Sequence, residues 1–435
     1  MATNRRWTIC RRVWFLQLVA LLAIEVGGLW RHGFTLQVAV ALPNILTGIG
    51  VGMWAAGKTP QFILSLASCA AALMLAEIAV RVARPLPESQ MEKIKNIFRF
   101  DKRLGWRLEP GARATFTTEE GKQIPITINS AGFRDREYGD GSANETSERI
   151  AVLGDSFVAN IAVEQSKVFT ARLHEDLRPR FEVRNYGVAG YGQVQEFLLL
   201  DEVLEKHHPA LVLEVVYARN DFGDNLGSFG VTGIKRPECR ITPDGAIETI
   251  TEVRESDLYH SDAGWLYTWI SGMGLHRLLR QGLYRLVPSQ MPQDQIAAEV
   301  YLCRRDWRAS ERHAFEVIKS LLTAMAHKSE EHQARFGIVV APSRWQVEDE
   351  EWSRLLHDSK LDESQYDRTL PNRMILDFCQ KAGYQCLDLL PALTSRAKQG
   401  EHLYFRTDEH WNALGQVRVA ETILEWLQKN MLRPE

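Results

Sequence analysis

Four short patches of this 435-residue chain hold residue types that could do chemistry: Gly154-Asp155-Ser156-Phe157, Asn185-Tyr186-Gly187-Val188-Ala189-Gly190, Ala218-Arg219-Asn220-Asp221 and Asp408-Glu409-His410-Trp411-Asn412. A serine hydroxyl is a poor nucleophile and needs an adjacent base. His410 can supply one, and Asp408 can hold its imidazole in the tautomer that takes the serine proton. Ser156, Asp408 and His410 would then make a triad for acyl transfer. Taken singly, each patch is ordinary. A Gly-Asp-Ser followed by Phe or Leu turns up by chance in about one such chain in fifty, and a lone glycine or Asn-Asp is more often a turn. Their weight lies in their order and in where the chain puts them.

The surrounding pattern alternates. Strands are predicted at 150–153, 181–185, 211–217, 336–341 and 385–389, and helical spacing at 168–177, 194–206, 314–327, 371–382 and 412–430. Such alternation argues for a parallel sheet covered on both faces. Three patches follow predicted strands and the fourth opens the last helix. Sites in open parallel sheets form at the carboxyl ends of strands, so the four are expected to converge. Residues 149–435 thus read as the catalytic domain. Residues 86–148 read as a lead-in with some β structure, including a strand at 124–128. The stretch 226–310 breaks the rhythm and reads as an insertion able to cover the site.

The four blocks resemble those of SGNH (GDSL-type) hydrolases, over roughly residues 149–430. The resemblance implies a three-layer, flavodoxin-like α/β fold, with Ser156 as nucleophile, His410 as base and Asp408 as its partner. It also implies an oxyanion hole made by the Ser156 and Gly190 backbone N–H groups and the Asn220 side-chain amide. Two positions depart from the usual pattern. Ala218 stands where the third block commonly has glycine. The last block is Asp-x-His, not Asp-x-x-His, with Thr407 at the usual acid position. Asp-x-His-Trp is similar to alginate O-acetyltransferase-like members.

The first eighty or so residues are very apolar and almost free of acids. Runs at 13–30, 34–56 and 61–80 are each about the twenty residues a membrane-crossing helix needs, so three transmembrane helices are expected in a membrane anchor over 1–85. Arg5, Arg6, Arg11 and Arg12 ahead of the first run would keep the N-terminus cytoplasmic. The expected location is therefore the inner membrane, multi-pass, with the catalytic domain on the extracytoplasmic side. A net charge of −3 argues against nucleic acid as a partner. No cysteine or histidine spacing suggests a metal, and no cofactor is expected. Cys239–Cys303 and Cys379–Cys386 are the pairings expected of any disulfides, with unrelated buried thiols as the alternative.

Three functions fit. One is a serine ester hydrolase acting on an acylated envelope glycan or lipid. Another is an O-acyltransferase to an exported polysaccharide, with a membrane partner supplying acyl groups. The third is a scaffold with an idle site. The partners expected are an acyl ester, a glycan and the lipid bilayer.

Overall fold

The computed structural model describes residues 94–138, 147–225, 234–254, 300–358 and 361–432, together with Ser68, Ala72 and residues 74–79. Chain contacts divide the protein into two units, Met1–Pro87 with His260–Gln293 and Glu88–Tyr259 with Asp294–Glu435.

The lead-in contributes two small antiparallel pairs. β1 (Phe98–Asp101) pairs with β2 (Gly105–Leu108), and β3 (Arg113–Thr117) with β4 (Gln123–Thr127). β4 alternates exposed and buried residues, as a strand with one solvated face should. Its buried Ile124 and Ile126, like Trp106 of β2, are almost fully out of water.

The central sheet is parallel and five-stranded. It contains β5 (Glu148–Gly154), β6 (Phe181–Asn185), β7 (Leu211–Tyr217), β10 (Arg335–Ala341) and β11 (Gln385–Asp388), in the order β11-β10-β7-β5-β6. All seven residues of β7 are buried, which is why it reads as a near-continuous apolar run. The chain lays β6 on one side of β5 and β7 on the other, so the order reverses at β5, where open sheets bind ligands.

Helices cover both faces. The first face carries Ile150, Val152, Leu213 and Val215 of the sheet. It packs on α2 (Phe169–Leu177), α9 (Leu390–Lys398) and α10 (Ala413–Asn430) through Phe169, Leu173, Leu393, Val419, Ile423 and Leu427. The other face carries Ala151, Leu153, Val212, Val216, Ile338 and Val340. It packs on α3 (Gln193–His207), α5 (Ala309–Glu331) and α8 (Leu370–Ala382), and the lead-in core around Ile97, Trp106 and Ile126 joins the α3 side. Short helices α1 (Ser156–Ala159), α4 (Asp221–Asp224) and α6 (Arg344–Val347) start just beyond β5, β7 and β10, and α7 (Asp349–Asp358) follows α6. The remaining strands β8 (Cys239–Ile241) and β9 (Ile247–Ile250) form a hairpin within the predicted insertion.

One charged residue of β7 needs explaining. Glu214 is 0 % exposed in the middle of the sheet, and its neighbour across the helix layer is Glu196 of α3. Burial pushes the Glu214 carboxyl up to about 7 and Glu196 well above the usual range, so near neutrality this pair retains protons.

One expectation is corrected. Among the described residues no helix is long and apolar enough to cross a membrane. The three transmembrane helices expected at 13–30, 34–56 and 61–80, and the multi-pass inner-membrane location built on them, are therefore not supported. The part of those runs that is described, chiefly residues 74–79, is a helical stretch of six residues containing the acid Glu77, against the roughly twenty apolar residues a span requires. The other residues of those runs lie outside the described ones. Of the two readings left open for the cysteines, the structure has the second: all four described cysteines are free thiols. Cys239 packs in the α3-side core and Cys303 in a separate cluster around Trp345 and Trp352. Cys379 and Cys386 meet thiol to thiol between α8 and β11, and that contact and burial raise the Cys386 thiol pKa far above its ordinary value.

Candidate active site

At the end of β5 the chain must leave the sheet abruptly. Gly154 has φ +151°, and a Cβ there would come within 2.5 Å of Val158. Asp155 then caps α1, its carboxylate accepting the Phe157 N–H at 2.8 Å. This turn sets Ser156 at the first position of α1, on the rim of a cavity of about 730 Å³ that is also lined by Gly190, Asn220, Asp408 and His410. All five residues singled out from the sequence thus border one cavity.

His410 arrives from the opposite direction, on the loop before α10. Its Nε2 lies 2.7 Å from Ser156 Oγ, and its Nδ1 bonds to Asp408 Oδ1. The same oxygen accepts the His410 backbone N–H at 3.0 Å, so an acid two residues upstream folds back onto the ring. Burial raises the Asp408 carboxyl, but hydrogen bonds and charge from His410 outweigh it and hold it below the ordinary range. An ionised carboxylate can only accept, so Nδ1 carries the proton and Nε2 is left to take one from serine. Burial disfavours the charged imidazole, yet Asp408, with help from Asp155, lifts His410 above its ordinary value. The ring is packed by Phe157, at 5.0 Å between centroids, which itself meets Trp411 edge-on at 4.7 Å.

The unusual spacing of this block has a structural partner. Thr407, at the usual acid position, turns away from His410. Its N–H and hydroxyl both donate to Glu119 Oε2 at 2.6 Å, and the Arg406 N–H donates to the other oxygen at 2.7 Å. From the other side Arg344 of α6 donates to the Phe405 carbonyl at 2.9 Å and ion-pairs with Glu351. Asn412 caps α10 through the Leu414 and Gly415 N–H groups, and its amide holds the His402 and Tyr404 carbonyls.

On the other wall, Gly190 has φ +80°, a conformation that favours glycine. The Asn220 Nδ2 sits 3.1 Å from Asp224 and 3.3 Å from Asp155 Oδ2, an oxygen that is also 3.3 Å from Ser156 Oγ. Arg219 forms an ion pair with Glu409, which the Tyr217 hydroxyl also reaches at 3.3 Å. Phe116, Ile161, Ala162 and Phe405 make the cavity's apolar wall. Trp411 is fully buried in the core and Trp345 stacks on Trp352, and neither lines this cavity. Among the described residues no group of three or more His, Cys, Asp or Glu side chains is placed to hold a metal ion.

Sequence reading missed Glu119, Arg134 and Arg236. The Arg134 side chain, 1 % exposed, donates to the Ala159, Asn160 and Val163 carbonyls and so ties the lead-in to the loop after α1. Burial draws its pKa down to about 10. Nothing marked these residues, since a charged side chain beside a turn is normally solvated.

Residues 304–434 match a family model described as the SGNH hydrolase-like domain of acetyltransferase AlgX. The match takes in Asp408 and His410 and leaves Ser156, Gly190 and Asn220 outside. No curated protein matches the chain. Solved structures with some likeness include TesA, at 13% identity over 65% of this chain and 99% of that one, with a TM-score of 0.33. Another is a putative lipolytic protein of the G-D-S-L family from Desulfitobacterium hafniense, at 10% identity over 65% and 100%, TM-score 0.32. A catalytic mutant of Axe2, an acetylxylan esterase from Geobacillus stearothermophilus, shares 10% identity over 67% and 98%, TM-score 0.35. Likeness at such scores carries no argument about this chain. The resemblance to SGNH hydrolases stands on the family match.

Proposed function

We propose that this protein is a serine-dependent ester hydrolase that works through an acyl-enzyme on an acylated glycan or lipid. The observation that carries the reading is the unbroken chain from Asp408 through the imidazole to Ser156 Oγ, with its 2.7 Å link between base and hydroxyl. In the first half, Ser156 Oγ attacks the ester carbonyl carbon and its proton passes to His410 Nε2. The carbonyl oxygen becomes an anion facing the Ser156 and Gly190 N–H groups and the Asn220 amide. Collapse breaks the bond to the alcohol oxygen, which takes the proton from His410 and leaves. In the second half, water gives a proton to His410 as it attacks the acyl-serine; collapse then breaks the bond to Ser156 Oγ, which takes that proton back as the carboxylic acid departs. Preorganised donors commonly supply the largest share of such an acceleration, about a hundred- to thousandfold for each one.

A second reading is transfer, in which a glycan hydroxyl takes the place of water. The family match to a domain described by an acetyltransferase favours it. Both readings share every step to the acyl-enzyme. Incubating the protein with an acetyl ester and an oligosaccharide separates them. Free acetate with unmodified sugar supports hydrolysis, whereas acetylated sugar contradicts a purely hydrolytic enzyme and supports transfer.

A further inference from the structure

We infer that Trp106, Arg236 and Asp224 form a buried brace that aims the two oxyanion donors lying away from the nucleophile, the Gly190 N–H and the Asn220 amide. The inference rests on the serine-ester reading above and adds three positioning residues to it, all of them outside the four blocks.

A peptide group is planar and trans, so its C=O and N–H point in opposite directions. The Gly190 N–H shares its peptide with the Ala189 carbonyl, and that carbonyl accepts from Trp106 Nε1 at 3.2 Å. Fixing the carbonyl fixes the N–H on the far side. The next peptide is tied as well, because Arg236 Nε donates to the Gly190 carbonyl at 2.9 Å. Both planes flanking a residue at φ +80° are therefore held from outside the loop.

The same guanidinium then reaches the second donor. Arg236 pairs with Asp224 Oδ2 at 2.9 Å, and this oxygen also accepts from Asn220 Nδ2 at 3.1 Å. One carboxylate oxygen thus links the arginine that holds Gly190 to the amide of Asn220. The Asn220 amide has two hydrogens, and the longer contact, 3.3 Å to Asp155, is the one that an oxyanion displaces. The Arg236 and Asp224 side chains are 6 % and 13 % exposed, and the guanidinium lies 5.8 Å from the fully buried Trp106 ring. So little water competes for these bonds. Arg236 comes from the segment just before β8, and Trp106 from β2 of the lead-in.

The test uses p-nitrophenyl acetate and three conservative variants of the full chain, Arg236→Lys, Asp224→Asn and Trp106→Phe. Each should lower kcat about tenfold to a hundredfold, the scale of loss when a group is displaced by about an ångström, and change KM less than about twofold. Arg236→Lys keeps the charge and should lose less than Asp224→Asn. A second readout does not depend on turnover. The Asn220 side-chain amide, assigned by its disappearance in Asn220→Asp, should shift in the ¹⁵N spectrum of Asp224→Asn and of Arg236→Lys. Unchanged kcat in all three variants overturns the inference, whether or not the resonance moves. Should the wild-type protein turn over no ester, the functional reading fails, and an unmoved Asn220 resonance would remove the brace as well.

Discussion

On the oxyanion side of the site, Asn220 and Gly190 lean on charges held almost out of water, Arg236 at 6 % and Asp224 at 13 % exposure. On the base side, the loop that carries Asp408 and His410 leans on Glu119, an exposed carboxylate holding the exposed residues Arg406 and Thr407. The chemistry explains the contrast. Oxyanion donors must keep one direction through the reaction, and buried charge pairs give stiffness at the cost of being hard to remove. The imidazole instead has to pass a proton between serine and the departing or entering oxygen, and its position is fixed locally, by the return bond from Asp408 and the Phe157 ring. One wall is held by charges kept almost out of water. The other is held by short-range contacts on a solvated loop.

The largest expected effect lies on the base side, where no outside brace can substitute for the reacting group. His410→Ala should reduce kcat on an acetyl ester by about a thousandfold or more, measured with the active-serine concentration known. Asp408→Asn comes next. Loss of the carboxylate should lower kcat by about a hundred- to ten-thousandfold. It should also move the acid limb of the kcat/KM profile to lower pH. The sign follows from His410 being lifted above its ordinary value chiefly by Asp408: wild-type activity rises as pH climbs through that raised value, and the variant's limb sits lower. A limb that stays in place would mean Asp408 does not set the base.

Stability separates the two walls more sharply. Arg236→Met strands a buried carboxylate and should cost about 3–5 kcal/mol in denaturant unfolding. Glu119→Gln breaks an exposed contact and should cost within about 1 kcal/mol. Equal costs would erase the distinction between a dry wall and a solvated one.

Behind the dry wall the Glu214–Glu196 pair gives a smaller, pH-dependent test. Burial raises the Glu214 carboxyl to about 7, so between the ordinary glutamate range and about 7 the folded protein holds a proton that the unfolded chain has lost. That contribution weakens folding as pH rises through this window. Glu214→Gln removes it, so the variant should gain on the wild type as pH climbs from about 4.5 to about 7, read as the difference in unfolding free energy. A constant difference across that range would mean the pair does not retain its proton.

The sheet was legible because buried parallel strands announce themselves as apolar runs. The strands predicted at 181–185 and 211–217 match β6 and β7 end for end. The helix predicted at 314–327 proved longer at both ends, since the added turns carry polar residues that no periodic stripe marks. α9 was not predicted; Pro391 sits in its first turn, where proline is tolerated. The residues that meet at the cavity were legible because their types are rare together. Their supports were not. Glu119, Arg134, Trp106 and Arg236 look like ordinary surface or core residues, and only the folded chain brings them to the site, from 22 or more positions before Ser156 or, for Arg236, from 80 positions after it. The N-terminal runs show the opposite failure. Apolar composition over the right length suggested spans that no described helix supports.

The central claim is that Ser156 is an activated nucleophile. A fluorophosphonate probe reacts with such a serine and leaves a covalent mark that peptide mass spectrometry can place. The protein should be labelled at Ser156, faster as pH rises through the raised His410 value, and Ser156→Ala and His410→Ala should not be labelled. A wild-type protein that stays unlabelled, or a Ser156→Ala protein that labels at the wild-type rate, would contradict the account.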